Sequence, residues 1–168
     1  ICHRRLAQLL EADGVVIDAR GWEGAPALAV MTADCLPVVL SADGGRVLAA
    51  VHAGRRGFLS GILVAAVRAM SGLCAEAPAA LIGPAICGQC YEVPGSMRDE
   101  AEAEAEGIGS RTRWGSVGLD LPGAARRQLE AMGCRVAVDP RCTLEDASLF
   151  SFRRDSACGR QALVVAAA

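Results

Sequence analysis

Two apolar segments on either side of a short glycine turn constrain the fold more than any other feature of the sequence. The segments are residues 27–40 and 46–53, and Asp43-Gly44-Gly45 lies between them. Asp-Gly between apolar runs is typical of a β-hairpin, because its tight turn needs residues that tolerate positive φ. The sequence therefore predicts two antiparallel strands, the first of which contains Pro37 and lies at an edge or carries a bulge.

The register of this hairpin decides whether Cys35 and His52 meet. A two-residue turn at Asp43-Gly44 places them directly opposite each other, with Cβ atoms roughly 4.5 to 5.5 Å apart. A turn centred on Gly44-Gly45, or a bulge at Pro37, shifts the pairing. The pattern alone leaves open whether Cys35 and His52 form a site or are two core residues.

Charged residues close to Cys35 and His52 favour a functional site, which could be either a zinc site or a Cys–His nucleophile pair. Asp34, Arg55 and Arg56 lie beside the pair in the sequence. Zinc binds Cys and His, but a catalytic zinc site normally has three protein ligands. A Cys–His nucleophile pair needs only a base within hydrogen-bond reach and an oxyanion donor. The other histidine, His3, precedes a basic helical segment and is not expected to be a ligand.

Helical and strand patterns follow one another along the chain and predict one α/β domain of 168 residues with some antiparallel pairing. Asp120 is the expected N-cap of the best-punctuated helix, which has Pro122 in its first turn and ends before Gly133. Helices are predicted at 4–10, 57–72, 96–107 and 120–133, and short buried strands at 134–138 and 161–167.

Two loops carry side chains that bind metals or anions. Cys87 and Cys90 form a Cys-x-x-Cys motif, which fits a zinc site, a redox site or a pair of ordinary loop thiols, and the sequence has no second such pair. Arg153, Arg154 and Arg160 lie in the long loop before the last strand. They form either a basic surface patch or a receptor for phosphate or carboxylate.

Composition argues against two classes of partner. A net charge of −2 gives no basic field for nucleic acid, and the apolar runs are shorter than the roughly 18 to 20 residues of a membrane helix. The eight cysteines show no dense disulfide framework, so we predict reduced thiols and a cytoplasmic location. Because the chain begins at Ile1, we also expect an N-terminal part to be absent.

Four segments in order resemble the bacterial YfiH family, also called peptidoglycan-editing factor or multicopper polyphenol oxidoreductase (laccase-like). They are TADCLPV at 32–38, AVHAGRRG at 50–57, IGPAICGQCYEV at 82–93 and CT…LFSFRRD…GRQA at 142–162. The resemblance implies a single layered α/β domain with a mixed β-sheet and flanking helices, related to the cysteine-hydrolase-like fold.

The resemblance also implies a zinc site and an enzymatic activity. Its ligands would be Cys35, His52 and a histidine from an upstream Q-x-H segment. Family members act on purine nucleosides by phosphorolysis and adenosine deamination, and the family is linked to peptidoglycan editing. Copper is less expected than zinc, because a multicopper site needs more histidines than the two in this chain.

Three departures from the family pattern bear on the site. Arg55 replaces the tryptophan of HAGWRG, whereas Arg56 matches, and Cys87 stands where glycine is usual. The Q-x-H segment is missing, and the helix-like and strand-like segments meet abruptly at Leu10 and Glu11. We therefore predict that a loop carrying the third ligand is missing between these two residues, rather than that the ligand has been lost.

Three functional hypotheses result. The first is a zinc-dependent enzyme for purine nucleosides, with Cys35, His52 and Arg56 as catalytic residues. In this hypothesis the phosphate-binding residues are Arg153, Arg154 and Arg160. The second is a metal-independent hydrolase or amidase with Cys35 as nucleophile and His52 as base. The third is a non-enzymatic domain that binds a metal or a partner.

Overall fold

A five-stranded mixed sheet forms the centre of the structure, a computed structural model that describes residues 12–168. All neighbouring strands are antiparallel except the last two in the spatial order, which are parallel. In that order the strands are β1 (Gly14–Asp18), β4 (Val47–Ala53), β3 (Leu36–Ala42), β5 (Ala79–Ile82) and β8 (Arg135–Val138).

The two faces of this sheet are covered by different elements. An antiparallel ribbon of β2 (Ala27–Thr32) and β9 (Gln161–Ala166) lies on one face. Helices cover the opposite face, where the main core lies. The helices are α1 (Arg55–Leu59), α2 (Ile62–Ser71), α3 (Gly95–Glu104) and α4 (Leu121–Ala131), and a small hairpin joins β6 (Gly109–Arg111) to β7 (Val117–Leu119).

The central strands β3 and β4 are apolar along nearly their whole length because both of their faces are buried. Leu40 and Val51 face the helices. Val39 and Ala50 face the ribbon, where they contact Val30 of β2. Alternate side chains of a strand point to opposite faces, so a strand between two layers needs apolar residues at every position. The predicted α/β class with a mixed sheet and flanking helices is confirmed.

The predicted hairpin is present, but its register differs from the one that sets Cys35 against His52. The connection is a short 3₁₀ turn at Asp43–Gly45, and Ala42 pairs with Val47 across it. The loop therefore contains four residues rather than two, and Pro37 is the partner of His52. The prediction that Cys35 lies directly opposite His52 is wrong.

The predicted strand at 27–40 is two strands, β2 and β3. Residues 33–35 leave the sheet between them, and Asp34 there adopts a φ of +86°. This break places Cys35 at the entrance of β3, one residue before Leu36. The chain thus passes from the outer ribbon to the central sheet at the cysteine.

Most helix predictions are confirmed, with local differences. The predicted helix at 57–72 is divided into α1 and α2 at Gly61, whose φ is +79°. The helix after Asp120 ends before Gly133, as predicted, and the Asp120 carboxylate accepts a hydrogen bond of 3.1 Å from the Gly123 N–H.

The remaining predictions have mixed outcomes. The strands β8 and β9 are half-exposed rather than buried, because each lies at an edge. The hairpin of β6 and β7 was not predicted. The predicted helix at 4–10, His3 and the junction between Leu10 and Glu11 lie outside the described residues. No helix within residues 12–168 combines the length and apolar character that a bilayer span requires.

We expect Asp120→Ala to lower the free energy of unfolding by about 1 kcal/mol, because the Gly123 N–H loses its side-chain acceptor. Asp120→Asn, which keeps an acceptor oxygen, is the control and should unfold close to wild type. Urea denaturation followed by circular dichroism measures both. Equal destabilisation by Ala and Asn would contradict a capping role.

Candidate active site

A cleft of about 480 Å³ opens where β3 begins and β4 ends. The loop between β2 and β3 forms one wall, and loops that precede α3 and β9 form the other. The cleft is lined by Met31, Thr32, Ala33, Asp34, Cys35, His52, Arg55, Ile86, Tyr91, Leu121, Phe152, Arg153 and Arg160.

Cys35 and His52 converge beside Gly54, although they are not paired across the hairpin. A Cβ atom built on Gly54 would lie 3.2 Å from the Cys35 Sγ and 3.5 Å from the His52 Nε2. The backbone of Gly54 has a φ of −67°, which any residue can adopt. A side chain at this position would therefore crowd the thiol and contact the imidazole, which shows that both groups adjoin the same point of the backbone.

Asp13 orients the His52 ring. The His52 Nδ1 lies 3.0 Å from the Asp13 Oδ1, and the His52 backbone N–H donates to the Asp13 carbonyl at 2.7 Å. An imidazole that donates its Nδ1 proton to a carboxylate keeps a lone pair on Nε2. In this tautomer the Nε2 that faces Gly54 and the Cys35 Sγ is a free ligand atom.

Asp34 connects the Cys35 segment to two loops, the one before α3 and the one before β9. Its carboxylate accepts hydrogen bonds from the Thr143 hydroxyl at 2.6 Å and from the Arg153 N–H at 2.7 Å. Its carbonyl accepts a bond of 3.0 Å from the Ile86 N–H. Because Asp34 directly precedes Cys35, these bonds fix the position of the thiol relative to the rest of the cleft.

Burial raises the pKa of the Cys35 thiol, and the negative charge of Asp34 raises this pKa further. The positive charge of Arg160 acts in the opposite direction but does not cancel these effects. A metal-independent cysteine nucleophile is normally activated by a lowered pKa. The electrostatics of the metal-free cleft therefore disfavour Cys35 as a nucleophile.

Two of the predicted arginines, Arg153 and Arg160, line the cleft. The Arg153 guanidinium lies over the Tyr91 ring, 5.4 Å from its centroid, and donates to the Glu92 carbonyl at 3.0 Å. The Arg160 guanidinium lies 5.9 Å from the centroid of the Phe152 ring. Both are held against aromatic rings while retaining donors for an anion.

The other predicted arginines lie elsewhere. Arg56 lines a smaller neighbouring cleft of about 260 Å³ that shares His52 with the main one, and Arg55 lines both. Arg154 is absent from the lining of either cleft. Its guanidinium holds the loop that precedes it, through hydrogen bonds to the carbonyls of Thr143, Leu144, Asp146 and Leu149.

A second cluster of potential metal ligands lies outside the cleft. The ligand atoms of Cys87, Cys90, Cys142 and Glu145 all lie within 4.8 Å of one another. Cys142 and Glu145 were not predicted as ligands, because the sequence has no second pair of thiols to match Cys87 and Cys90, and Cys142 is followed three residues later by a carboxylate. The sequence does contain one signal for this cluster: Cys142 and Glu145 have the same three-residue spacing as Cys87 and Cys90.

The chain matches a family model described as multi-copper polyphenol oxidoreductase laccase over residues 2–168. This match covers nearly the whole sequence, so the chain belongs to that family, and it is a YfiH-type member as the sequence motifs indicated.

Its relatives include proteins named purine nucleoside phosphorylase. One from Streptomyces coelicolor is 47% identical over 154 residues, which are 89% of this chain and 62% of the relative. Another, purine nucleoside phosphorylase YfiH from Escherichia coli, is 38% identical over 80% of this chain and 56% of its own length. The crystal structure of Neisseria meningitidis protein NMB0706 is 34% identical, with a TM-score of 0.77, over 93% of this chain and 64% of that one. The chain thus spans less than two thirds of the length of each.

In metal-free protein, we expect alkylation of Cys35 to have a pH midpoint above that of the same cysteine in the urea-unfolded chain, because burial raises the pKa of this thiol. Arg160→Gln should move the midpoint higher still, since it removes the opposing positive charge. Iodoacetamide labelling followed by peptide mass spectrometry measures the midpoint. Arg126→Gln, on the exposed side of α4, is the charge-matched control. A midpoint below that of the unfolded chain would restore the nucleophile hypothesis.

Proposed function

We propose that this chain carries the catalytic cleft of a purine nucleoside phosphorylase, and that Cys35 and His52 bind Zn²⁺ in it. The observation that carries the proposal is the convergence of the Cys35 Sγ and the His52 Nε2 beside Gly54, in a cleft that also holds Arg153 and Arg160. The names of the relatives support this substrate class.

The donors fit zinc better than copper. Zinc accepts a thiolate and an imidazole readily, and the carboxylate of Asp13 supplies the second-shell bond that metal-bound histidines usually have. Within residues 12–168, no third His, Cys, Asp or Glu ligand atom converges on this pair. We assign the third position to a histidine of the loop that we predict to be missing between Leu10 and Glu11, and not to His3. A bound Zn²⁺ supplies Lewis-acid polarisation and lowers the pKa of water in sites of this kind.

The arginines suit the phosphate that phosphorolysis consumes. Arg160 and Arg153 hold the anion through charge-assisted hydrogen bonds and orient one of its oxygens toward the ribose. Bond formation between this oxygen and C1′ accompanies cleavage of the C1′–N9 bond, and the proton of hydrogen phosphate ends on the departing purine. Met31 and Phe152, which are 68% and 52% exposed, offer an apolar surface for the base.

Several finer predictions belong to the same proposal. Adenosine deamination would use the same cleft, with water in place of phosphate. The link of the family to peptidoglycan editing, the cytoplasmic location and the relation to the cysteine-hydrolase-like fold stay predictions. The Arg154 guanidinium donates to backbone carbonyls. We therefore propose that Arg55, which lines the cleft, binds phosphate in place of Arg154.

Incubation with inosine or adenosine and phosphate should release free purine base and ribose 1-phosphate, and a chelator should abolish this activity. Arg160→Gln should raise the KM for phosphate about tenfold to a hundredfold, since a hydrogen bond to a charged group contributes about 1.5–3 kcal/mol. Chromatographic separation of nucleoside and base measures both effects.

Arg126→Gln serves as the control for that experiment, because it removes an exposed arginine that is paired with Glu130 on α4. It should leave the KM for phosphate unchanged. Absence of any phosphate-dependent base release would contradict the proposed reaction, and an unchanged KM in Arg160→Gln would contradict the assigned role of this arginine.

We expect Gly54→Ala to weaken zinc binding in the cleft by about tenfold, because the added methyl group would lie 3.2 Å from the Cys35 Sγ and displace it. Gly57→Ala is the matched control, since a Cβ atom there lies 3.6 Å or more from its neighbours. The zinc concentration that half-protects Cys35 from alkylation gives the affinity. Equal affinities in the two variants would show that the space at Gly54 does not limit zinc binding, and failure of zinc to protect Cys35 at all would show that the metal does not use this thiol.

A further inference from the structure

The second cluster is built from two turns of the same geometry. The Cys87 carbonyl accepts hydrogen bonds from the N–H groups of Cys90 at 2.9 Å and Tyr91 at 2.9 Å. The Cys142 carbonyl accepts in the same way from the N–H groups three and four residues later, at 3.1 Å and 2.9 Å. Each turn therefore directs two side chains, three residues apart, toward the same point.

The cluster combines buried sulfur atoms with one accessible oxygen. Cys90 and Cys142 are 1% and 5% exposed and pack against Ile86, whereas Glu145 reaches them from the surface. Structural zinc sites are tetrahedral with Zn–S distances of about 2.3 Å, which implies sulfur atoms about 3.8 Å apart. Donor atoms within 4.8 Å of one another need only a small contraction to reach that geometry.

Hydrogen-bond donors already point at the sulfur atoms. The Cys87 N–H donates to the Cys142 Sγ at 3.4 Å, and the Arg113 guanidinium donates to the Cys90 Sγ at 2.8 Å. Arg113 is also ion-paired with Glu145. Three thiolates and a carboxylate around a divalent cation leave two negative charges, and Arg113 offsets one of them. Such second-shell donors are typical of thiolate metal sites.

We propose that Cys87, Cys90, Cys142 and Glu145 bind one Zn²⁺ as a closed structural site, separate from the cleft. Three thiolates favour zinc over magnesium or calcium, and four protein ligands leave no open position for substrate. A disulfide would use only two of the three thiols, and all seven cysteines within residues 12–168 are free. This proposal does not depend on the proposed function.

The site would hold the wall of the cleft in place. Cys90 is followed directly by Tyr91, which lines the cleft and lies under Arg153. Cys142 is followed by Thr143, which donates to the Asp34 carboxylate next to Cys35. A metal that joins these two turns therefore positions residues on both sides of the cleft without contacting substrate.

The test uses the purified full chain, stripped with a chelator under reducing conditions and reloaded with zinc. We expect Cys35→Ser to retain one zinc per chain, because the cluster is intact. In this variant zinc should protect Cys87, Cys90 and Cys142 from alkylation, as read by peptide mass spectrometry. Cobalt loading should give the intense near-ultraviolet absorbance of several thiolate ligands.

Two cluster variants and one control complete the design. Cys142→Ser in the Cys35→Ser background should lose the remaining zinc. Glu145→Gln, at an exposed position that leaves the core intact, should weaken zinc binding about tenfold or more while the chain stays folded by circular dichroism. Cys134→Ser replaces a buried cysteine outside the cluster and should keep the metal.

The proposal is overturned if Cys35→Ser carries no zinc after reloading, or if Glu145→Gln and Cys142→Ser bind zinc as tightly as their parent. It is also overturned if two cluster cysteines are found joined in a disulfide in the protein as isolated. Loss of phosphorolysis in a variant that keeps this zinc would test only the proposed function of the cleft. The proposal of a structural zinc site and the proposed function can therefore be contradicted independently.

Discussion

Asp34 holds the cleft together from a backbone conformation that few residues other than glycine adopt. Its φ of +86° turns the chain out of the ribbon and into the central sheet. The strain of that turn is offset because both carboxylate oxygens and the carbonyl accept hydrogen bonds, from Thr143, Arg153 and Ile86. Two loops that are distant in sequence, the one before α3 and the one before β9, therefore meet at the residue before Cys35, and both of them position the thiol.

Local signals predicted those parts of the fold that depend on local chemistry. The helix after Asp120 was predicted almost to the residue, because its cap, its first-turn proline and Gly133 all act within one turn of its ends. The hairpin was predicted, and its register is the one that a turn centred on Gly44-Gly45 gives, not the one that sets Cys35 opposite His52. The difference of two loop residues arises because Asp43, Gly44 and Gly45 all adopt positive φ, which a two-residue turn does not accommodate.

The sequence predicts the two ligands of the cleft, because two independent patterns indicate them, but it does not predict the second metal cluster. Cys35 and His52 were indicated both by the hairpin and by the family motifs, and the structure brings them together through Gly54. The second cluster was not predicted, because Cys142 lies 55 residues from Cys87 and the fourth potential ligand, Glu145, is a carboxylate. Only the folded chain shows that two turns of equal geometry face each other.

The contacts of Arg154 have a consequence for how the sequence can diverge. Its guanidinium binds backbone carbonyls between Thr143 and Leu149, and a carbonyl is the same in every residue. Apart from Glu145, the side chains of that segment that face solvent are therefore free to change over evolutionary time while the path of the loop is inherited. The arginine itself has no such freedom, and its invariance in an alignment would be easily mistaken for a role in chemistry.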